Sequence, residues 1–403
     1  MNRSVITTLV HGRVLVSLVV ALAGCAPSSD GTKTSVSVEP SVAPASPSPS
    51  ETAEVFPTEV FSGLGDEPVS DELAATLQEV LDESANGDGL TATLISPAGI
   101  WSGATGFAAG HRAMVPNDQM SIASITKTLV AAQVMQLVEA GELSLDDLAA
   151  DRLPPDLEFD TNGARIVDLL SMRSGYPETL DDEETWDTLW TDPLHAWTPD
   201  EVLATVAPER ARVGQTFEYR GTNYVLLGLI VEQVTDRPLA DVLRDGVLDG
   251  DGLERLIYQP DDRPTEPMAM PYGASADTFD DLGGYLPTLA GVTAANAEGA
   301  IASDSLSLAR WFRGLCAGQV VSSASLDEMT DFGERPEYGL GIIDRRGEYG
   351  QDSGALGHTG AFFGSTTVAL CFPNQGIVVV VLANAEEHDV DTTAGSLVDA
   401  AST

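Results

Sequence analysis

Apolar residues recur with a helical period over residues 71–84, behind an acidic start, and strand-like runs follow over 90–95 and 100–107. That pattern predicts an amphipathic helix and then a hairpin of two strands. Residues 124–140 are apolar over most of their circumference and stop at Gly141, so a central, buried helix is expected there. Further helices are predicted over 166–170, 199–206, 223–234 and 303–315, and strand patterning is largely absent from this middle region. It returns over 339–344, 365–372 and 376–382, with Gly and Asn374-Gln375-Gly376 between runs as in consecutive antiparallel strands, before a last helix over 392–401. Strands at both ends with helices between them imply an α/β fold. One antiparallel sheet would be built from N- and C-terminal segments and flanked by helices, with a mostly helical subdomain inserted at roughly residues 125–300.

Ahead of this pattern stand Arg3 and Arg13, a mostly apolar run over 14–23, and then small residues, which is the arrangement of a secretory signal. The run is too short to cross a bilayer. It ends in Leu22-Ala23-Gly24-Cys25, which resembles a bacterial lipobox and implies a lipid anchor on Cys25. Residues 26–69 are rich in Ser, Pro, Thr and Val and read as a disordered tether. As a coil it would reach roughly 35–40 Å, enough for a protein that works in a cell wall from a membrane anchor. The folded region is placed at 70–403, and localisation outside the cytoplasm follows.

Composition narrows the function. The 403 residues are 43% hydrophobic, so a large core can be buried. Lys and Arg total 20 against 62 Asp and Glu, a net charge of −42 that excludes nucleic acid as a partner. The acidic run Asp181-Asp182-Glu183-Glu184 reads as a solvated face rather than a metal site, and no metal is expected. Three cysteines, Cys25, Cys316 and Cys371, are too few for a disulfide scaffold and lack the spacing of zinc ligands. With Cys25 lipidated, Cys316 and Cys371 either pair or remain two buried thiols.

Only two lysines occur, Lys33 in the tether and Lys127, against eighteen arginines. Arginine stays charged in any environment, whereas a buried lysine can lose its proton and act as a base. Ser124 stands three residues before Lys127, at the start of the buried helix and on the same face. The helix N-terminus would favour negative charge near Ser124 and disfavour a proton on Lys127. Lowering the lysine pKa from about 10.4 to about 7.5 needs about 4 kcal/mol, within reach of burial and dipole together. A neutral amine activating a serine hydroxyl is therefore expected.

Two more regions complete a constellation: Tyr219-Arg220-Gly221-Thr222-Asn223-Tyr224, leading into an apolar helix, and His358-Thr359-Gly360, ahead of a strand. With Met120-Ser121-Ile122-Ala123-Ser124-Ile125-Thr126-Lys127, Asp168-Leu169-Leu170-Ser171, Ser174-Gly175, Tyr338-Gly339-Leu340-Gly341 and Ala383-Asn384 in order, the chain resembles the serine β-lactamase and penicillin-binding protein superfamily. The resemblance is to its class C β-lactamase, D-alanyl-D-alanine carboxypeptidase and esterase branch, and runs from about Gly89 to Asn384. It implies a β-lactamase/transpeptidase-like fold, Ser124 as nucleophile, Lys127 as base, and Tyr219 as proton relay. It also implies an oxyanion hole from the N–H groups of Ser124 and Ala361, Thr359 binding a substrate carboxylate or ester, and Gly360 leaving room for substrate along the strand. His358 stands where many relatives carry lysine, a variant resembling some D,D-peptidases and esterases, and is counted with Ser124, Lys127 and Tyr219 among the catalytic residues. Relatives also read Tyr-x-Asn where this chain has Gly221, so the amide that steadies the lysine and the substrate is missing. Asn223 is expected to cap the following helix instead.

The resulting expectation is a membrane-tethered serine hydrolase that forms an acyl-enzyme on Ser124 and acts, without a cofactor, on cell-wall peptide or a related amide or ester. β-Lactamase and esterase activity use the same machinery, and the rival from another class is a lipoprotein that binds penicillin or peptidoglycan without turnover. No Gly-x-Ser-x-Gly elbow occurs, which disfavours a Ser-His-Asp hydrolase.

Overall fold

The computed structural model describes residues 55–181, 183–266, 268–271, 285–362 and 364–403. The leader, Cys25, most of the tether and Asp182 lie outside the described residues, as do the side chains of Glu183 and Glu184.

Six strands form one wholly antiparallel sheet: β1 (Leu90–Ser96), β2 (Gly99–Thr105), β3 (Ile343–Asp344), β4 (Leu356–Phe362), β5 (Ser365–Phe372) and β6 (Ile377–Ala383). Their order is β2-β1-β6-β5-β4-β3, so the N-terminal hairpin is sewn to the C-terminal strands through β1 and β6, with Leu90 opposite Ala383. β6 is an unbroken apolar run because it is covered on both faces. Val379 and Val381 join Leu90, Leu94, Val368 and Leu370 beneath helices α1 (Asp71–Ser84) and α6 (Val390–Ala401), which supply Leu77, Leu81 and Leu397. Val378, Val380 and Leu382 face the other way, into the larger core shared with the helical subdomain. That layer holds α2 (Thr126–Glu139), α3 (Thr222–Thr235), α4 (Leu289–Gly299) and α5 (Ser305–Cys316). Helix starts follow their sequence cues: Ser70, Thr288, Asp304 and Asp389 each accept a hydrogen bond from a backbone N–H of the first turn.

A disulfide joins Cys316, at the end of α5, to Cys371 in β5. The bond pins the helical layer to the sheet across 55 residues of sequence. In the chain-entropy picture that closure is worth about 4 kcal/mol. Among the described residues no helix is long and apolar enough to cross a membrane.

Three expectations change. The folded unit takes in described residues ahead of Ser70, because Phe56 and Phe61 are buried and Pro68 bridges to Ile100. The stretch predicted as a strand over 339–344 keeps only Ile343–Asp344, since Gly339 N–H donates to Ile342 O and Gly341 takes a positive φ, turning the chain. Conversely, His358, Thr359 and Gly360 lie within strand β4 rather than ahead of a strand. Leu356-Gly357-His358-Thr359-Gly360 shows no alternation, and its glycines answer to packing rather than to propensity.

Candidate active site

Ser124 lies in a 3-10 turn, Ala123–Ile125, that leads into α2. Ala123 just before it adopts φ +48°, a conformation costly to any residue with a Cβ and retained here where the turn must present the serine. Main-chain and side-chain bonds hold the turn: Ile122 N–H donates to Ile301 O, and Ile301 N–H to Thr126 Oγ1. Lys127, one turn on, is 1% exposed. Its Nζ is 3.1 Å from Ser124 Oγ, 2.8 Å from the main-chain oxygen of Glu298 and 3.3 Å from Glu298 Oε2.

Three acceptors around one nitrogen satisfy three N–H donors, the complement of an ammonium group. Burial pulls the Lys127 pKa down, but Tyr219, Glu298 and Glu178 outweigh it and leave the group above its ordinary value. This corrects the neutral amine expected from burial and helix dipole: in the resting site Lys127 is protonated and donates to Ser124. Partners brought in from distant parts of the chain, Tyr219 first and then Glu298 and Glu178, decide the sign.

Tyr219 sits on a segment strapped to Met172, whose carbonyl accepts from Glu218 N–H and whose sulfur accepts from Arg220 N–H. Lys127 Nζ is 5.2 Å from the centroid of the Tyr219 ring. The phenol oxygen is buried without a well-formed hydrogen bond, although Ser124 and Lys127 are near enough for each to favour its ionised form. Burial prevails and holds the phenol above its usual pKa, so the hydroxyl keeps its proton.

His358 is 1% exposed, behind Tyr219, with ring centroids 6.1 Å apart. Its Nδ1 is 2.6 Å from Thr359 O, which can only accept, so that nitrogen carries the proton and Nε2 accepts from Tyr338 Oη at 3.1 Å. Burial drives its pKa down to about 3. Where relatives place a lysine, this chain therefore holds an uncharged ring with both nitrogens engaged. Its geometry suits holding Tyr338 and β4 in place rather than touching substrate as a catalytic residue.

Thr359 and Ala361 alternate toward solvent along β4, and β3 pairs only with Leu356 and Gly357, so among the described residues the rest of that edge has no strand partner. A Cβ on Gly360 would overlap the Ile122 carbonyl and crowd Thr367 Oγ1. The space expected for substrate is thus filled by the turn that carries Ser124. Glycine is needed so that strand and turn can touch.

Gly221 is explained by a residue that sequence reasoning missed. A Cβ there would overlap the carboxylate of Glu298, which has moved into the volume of the absent side chain. Glu298 is delivered by a kink in α4 at Asn296, φ +42°, whose Oδ1 accepts from Ala297 N–H. Burial and Glu178 raise its pKa to about 7 against the pull of Lys127. Its side chain sits deep among protein atoms yet keeps 21% exposure, and the exposed fraction is what governs ligand access. One cue was available: Glu298 is the only charged residue between Tyr285 and Ser303. Asn223 does not cap α3, since it lies inside the helix with its Nδ2 on Arg220 O. Glu178 supplies the cap, accepting from the N–H groups of Gly221 and Thr222 at 3.0 and 3.3 Å.

The sequence model of the Beta-lactamase family matches residues 89–402. Penicillin-binding protein 4 of Amycolatopsis lactamdurans is 29% identical over 287 residues, 65% of this chain and 71% of that protein. Protein flp of Staphylococcus aureus (strain NCTC 8325 / PS 47) is 32% identical over 127 residues, 30% of this chain and 24% of flp, so that match spans about a quarter of the relative. Among solved structures, a D-stereospecific amidohydrolase from Streptomyces sp. superposes with a TM-score of 0.64 at 24% identity, covering 81% of this chain and 98% of the other. The D-amino acid amidase of Ochrobactrum anthropi SV3, complexed with L-phenylalanine, gives 0.67 at 21% identity with coverage of 81% and 98%. At such identities these two establish the fold alone. With the family's sequence pattern matched across nearly all of the folded unit, the chain belongs to the Beta-lactamase family and is a serine hydrolase of that family.

Proposed function

We propose that this hydrolase cleaves amide or ester bonds through an acyl-enzyme on Ser124. The observation that carries this reading is the 3.1 Å contact between Ser124 Oγ and Lys127 Nζ, with the Tyr219 ring beside them. In the fraction of molecules where Lys127 is neutral, Ser124 Oγ bonds to the substrate carbonyl carbon and its proton passes to Lys127. The N–H groups of Ser124 and Ala361 receive the negative oxygen. Collapse breaks the bond to the leaving amine or alcohol, which takes the proton back from Lys127 by way of Tyr219. Water then attacks the acyl carbon, gives one proton to the same pair, and releases the acid as Ser124 recovers its hydrogen.

Among the substrates this machinery serves, the geometry favours those without a carboxylate on the leaving group. Holding such a carboxylate needs a cation near β4, whereas His358 is neutral and Arg345, whose charge reaches it, is paired with Asp391 at 2.6 Å. Cell-wall peptides ending in D-alanine and β-lactams are accordingly weaker fits than neutral amides or esters. A second reading, acylation by penicillin with slow release, draws on the name of the Amycolatopsis relative. Intact-mass measurement after mixing with an activated ester, an amino-acid amide and a penicillin tests both. A transient adduct with the ester or amide that vanishes in Ser124→Ala is the expected result, and a persistent one confined to penicillin favours the second reading. No Ser124 adduct with any of the three would overturn the acyl-enzyme.

The same proposal places the enzyme outside the cytoplasm, anchored through lipid on Cys25 and reaching its substrate on the tether. The leader pattern and the Cys316–Cys371 disulfide support this location. Cys25→Ser should move the protein from the membrane fraction to the medium, and an unchanged distribution would remove the anchor.

A further inference from the structure

We infer that the substrate carries a free, protonated amine beside the scissile carbonyl, and that it is received by the Glu298 carboxylate, which fills the volume a side chain at 221 would take. The inference rests on the acyl-enzyme reading above and names the class of acyl group that Ser124 would take: α-amino amides and esters.

The chemistry of the exchanged group is the starting point. An asparagine amide can donate to an acyl-amide carbonyl and accept from an N–H. A carboxylate can only accept, and it accepts most strongly from a cation. Replacing the first by the second therefore removes the donor that a blocked, N-acylated substrate needs and supplies the acceptor that an ammonium group needs. Glycine at 221 and glutamate at 298 have to occur together for this, since a Cβ at 221 would overlap both carboxylate oxygens or crowd them out.

Availability comes next. Glu298 Oε2 accepts from Lys127 at 3.3 Å, whereas Oε1 accepts no hydrogen bond among the described residues. The side chain is 21% exposed, so solvent and a ligand group can reach it. Because Lys127 touches both Glu298 and Ser124, the carboxylate lies one side chain away from the nucleophile. That is the distance scale of an α-substituent on an acyl group whose carbonyl is under attack.

Charge agrees with this assignment. The groups facing Glu298 are Lys127 from α2 and Glu178 from the loop that caps α3, while the nearby Tyr219 and His358 are uncharged. Arg220 is taken up by Glu218 at 3.1 Å and by the Tyr219 carbonyl. With a pKa of about 7, Glu298 becomes fully charged only above neutrality; there it and Glu178 against one ammonium leave this end of the site with an excess negative charge, which a substrate cation removes. An added anion would meet repulsion.

The test is binding to Ser124→Ala, which keeps the pocket and cannot react, measured by calorimetry with phenylalanine amide, N-acetylphenylalanine amide and the neutral isostere 3-phenyllactamide. The free amine is expected to bind roughly tenfold or more tightly than either neutral analogue, as a charge-assisted hydrogen bond would give. Adding Glu298→Gln should erase that preference, since shape is kept and charge is lost. Equal or tighter binding of the neutral analogues, or a preference unchanged by Glu298→Gln, overturns the inference. The three-ligand comparison needs no change at Glu298, so it stands even if that variant fails to fold. Adducts on Ser124 with no amine preference would sink this inference and leave the acyl-enzyme standing, whereas amine preference without adducts would do the reverse.

Discussion

The protonation state of one side chain controls the proposed chemistry. Lys127 must shed a proton before it can take one from Ser124, yet against the pull of burial Tyr219, Glu298 and Glu178 hold its pKa above the ordinary lysine value. The neutral fraction then grows tenfold for each pH unit over the whole range below that pKa. With an uncharged ester as substrate, kcat/KM is expected to climb roughly tenfold per unit from pH 7 to 9 without levelling; a stopped-flow profile that is flat by pH 7.5 would show a lysine already neutral. His358 provides a separate reading on stability. Its folded pKa is about 3 against an unfolded value near 6.5, so the unfolded chain binds a proton that the folded one refuses. The penalty is absent above pH 6.5 and accumulates as pH falls toward 3, amounting to about 2–3 kcal/mol by pH 4.5. His358→Gln should therefore lose less stability than wild type between pH 6.5 and 4.5 in urea titrations, and parallel losses would mean the ring accepts its proton in the fold. Ser124 and Lys127 were legible in the sequence because one helical turn joins them, and Tyr219 because its motif is local. Glu298 was not, since its partner stands 171 residues away and its only trace was an isolated charge.

Elements that rest on their own periodicity were readable, and those that rest on contact with something distant were not. Strand β5 and helix α1 have the bounds their patterns predict, residues 365–372 and 71–84. Strand β4 has none of that signal, because its residues are chosen by what presses on them: Gly360 admits the Ile122 carbonyl, and His358 meets Tyr338. The same contact makes a prediction. Gly360→Ala would drive a methyl group into the main chain of the turn that holds Ser124, and neither backbone can yield without moving the nucleophile or the oxyanion N–H groups. Shifts of about 1 Å in such a site cost on the order of a hundredfold in rate. We expect kcat to fall by about that factor while most molecules remain folded by circular dichroism. An alanine variant with wild-type kcat would mean that turn and strand are not in register during catalysis.

At the scale of the whole molecule, the sheet is closed by segments from the two ends of the folded unit, and where that unit begins is a physical question. Composition placed the boundary at residue 70, since the preceding stretch is rich in Ser, Pro and Thr and its few large apolar residues are widely spaced. Sparse residues can still be anchors. Phe56 and Phe61 stack at 6.0 Å and are both buried, and Phe56 N–H donates to Asp327 Oδ1 at 2.7 Å. Asp66 pairs with Arg313 of α5 at 2.6 Å, while Glu67 O and Val69 N–H add a short bridge to Ile100. Burying two phenylalanine rings is worth about 3–6 kcal/mol in total, comparable with the whole stability margin of many domains. The exposed ion pair adds little beside it. Protein starting at Ala53 should therefore unfold in urea with an unchanged midpoint and keep full kcat relative to the longer chain. Protein starting at Ser70 should lose several kcal/mol, about 3–6 by the same reckoning, and express poorly. Equal midpoints for the two truncations would mean that residues 53–69 only decorate the surface, and the compositional boundary would then be the physical one.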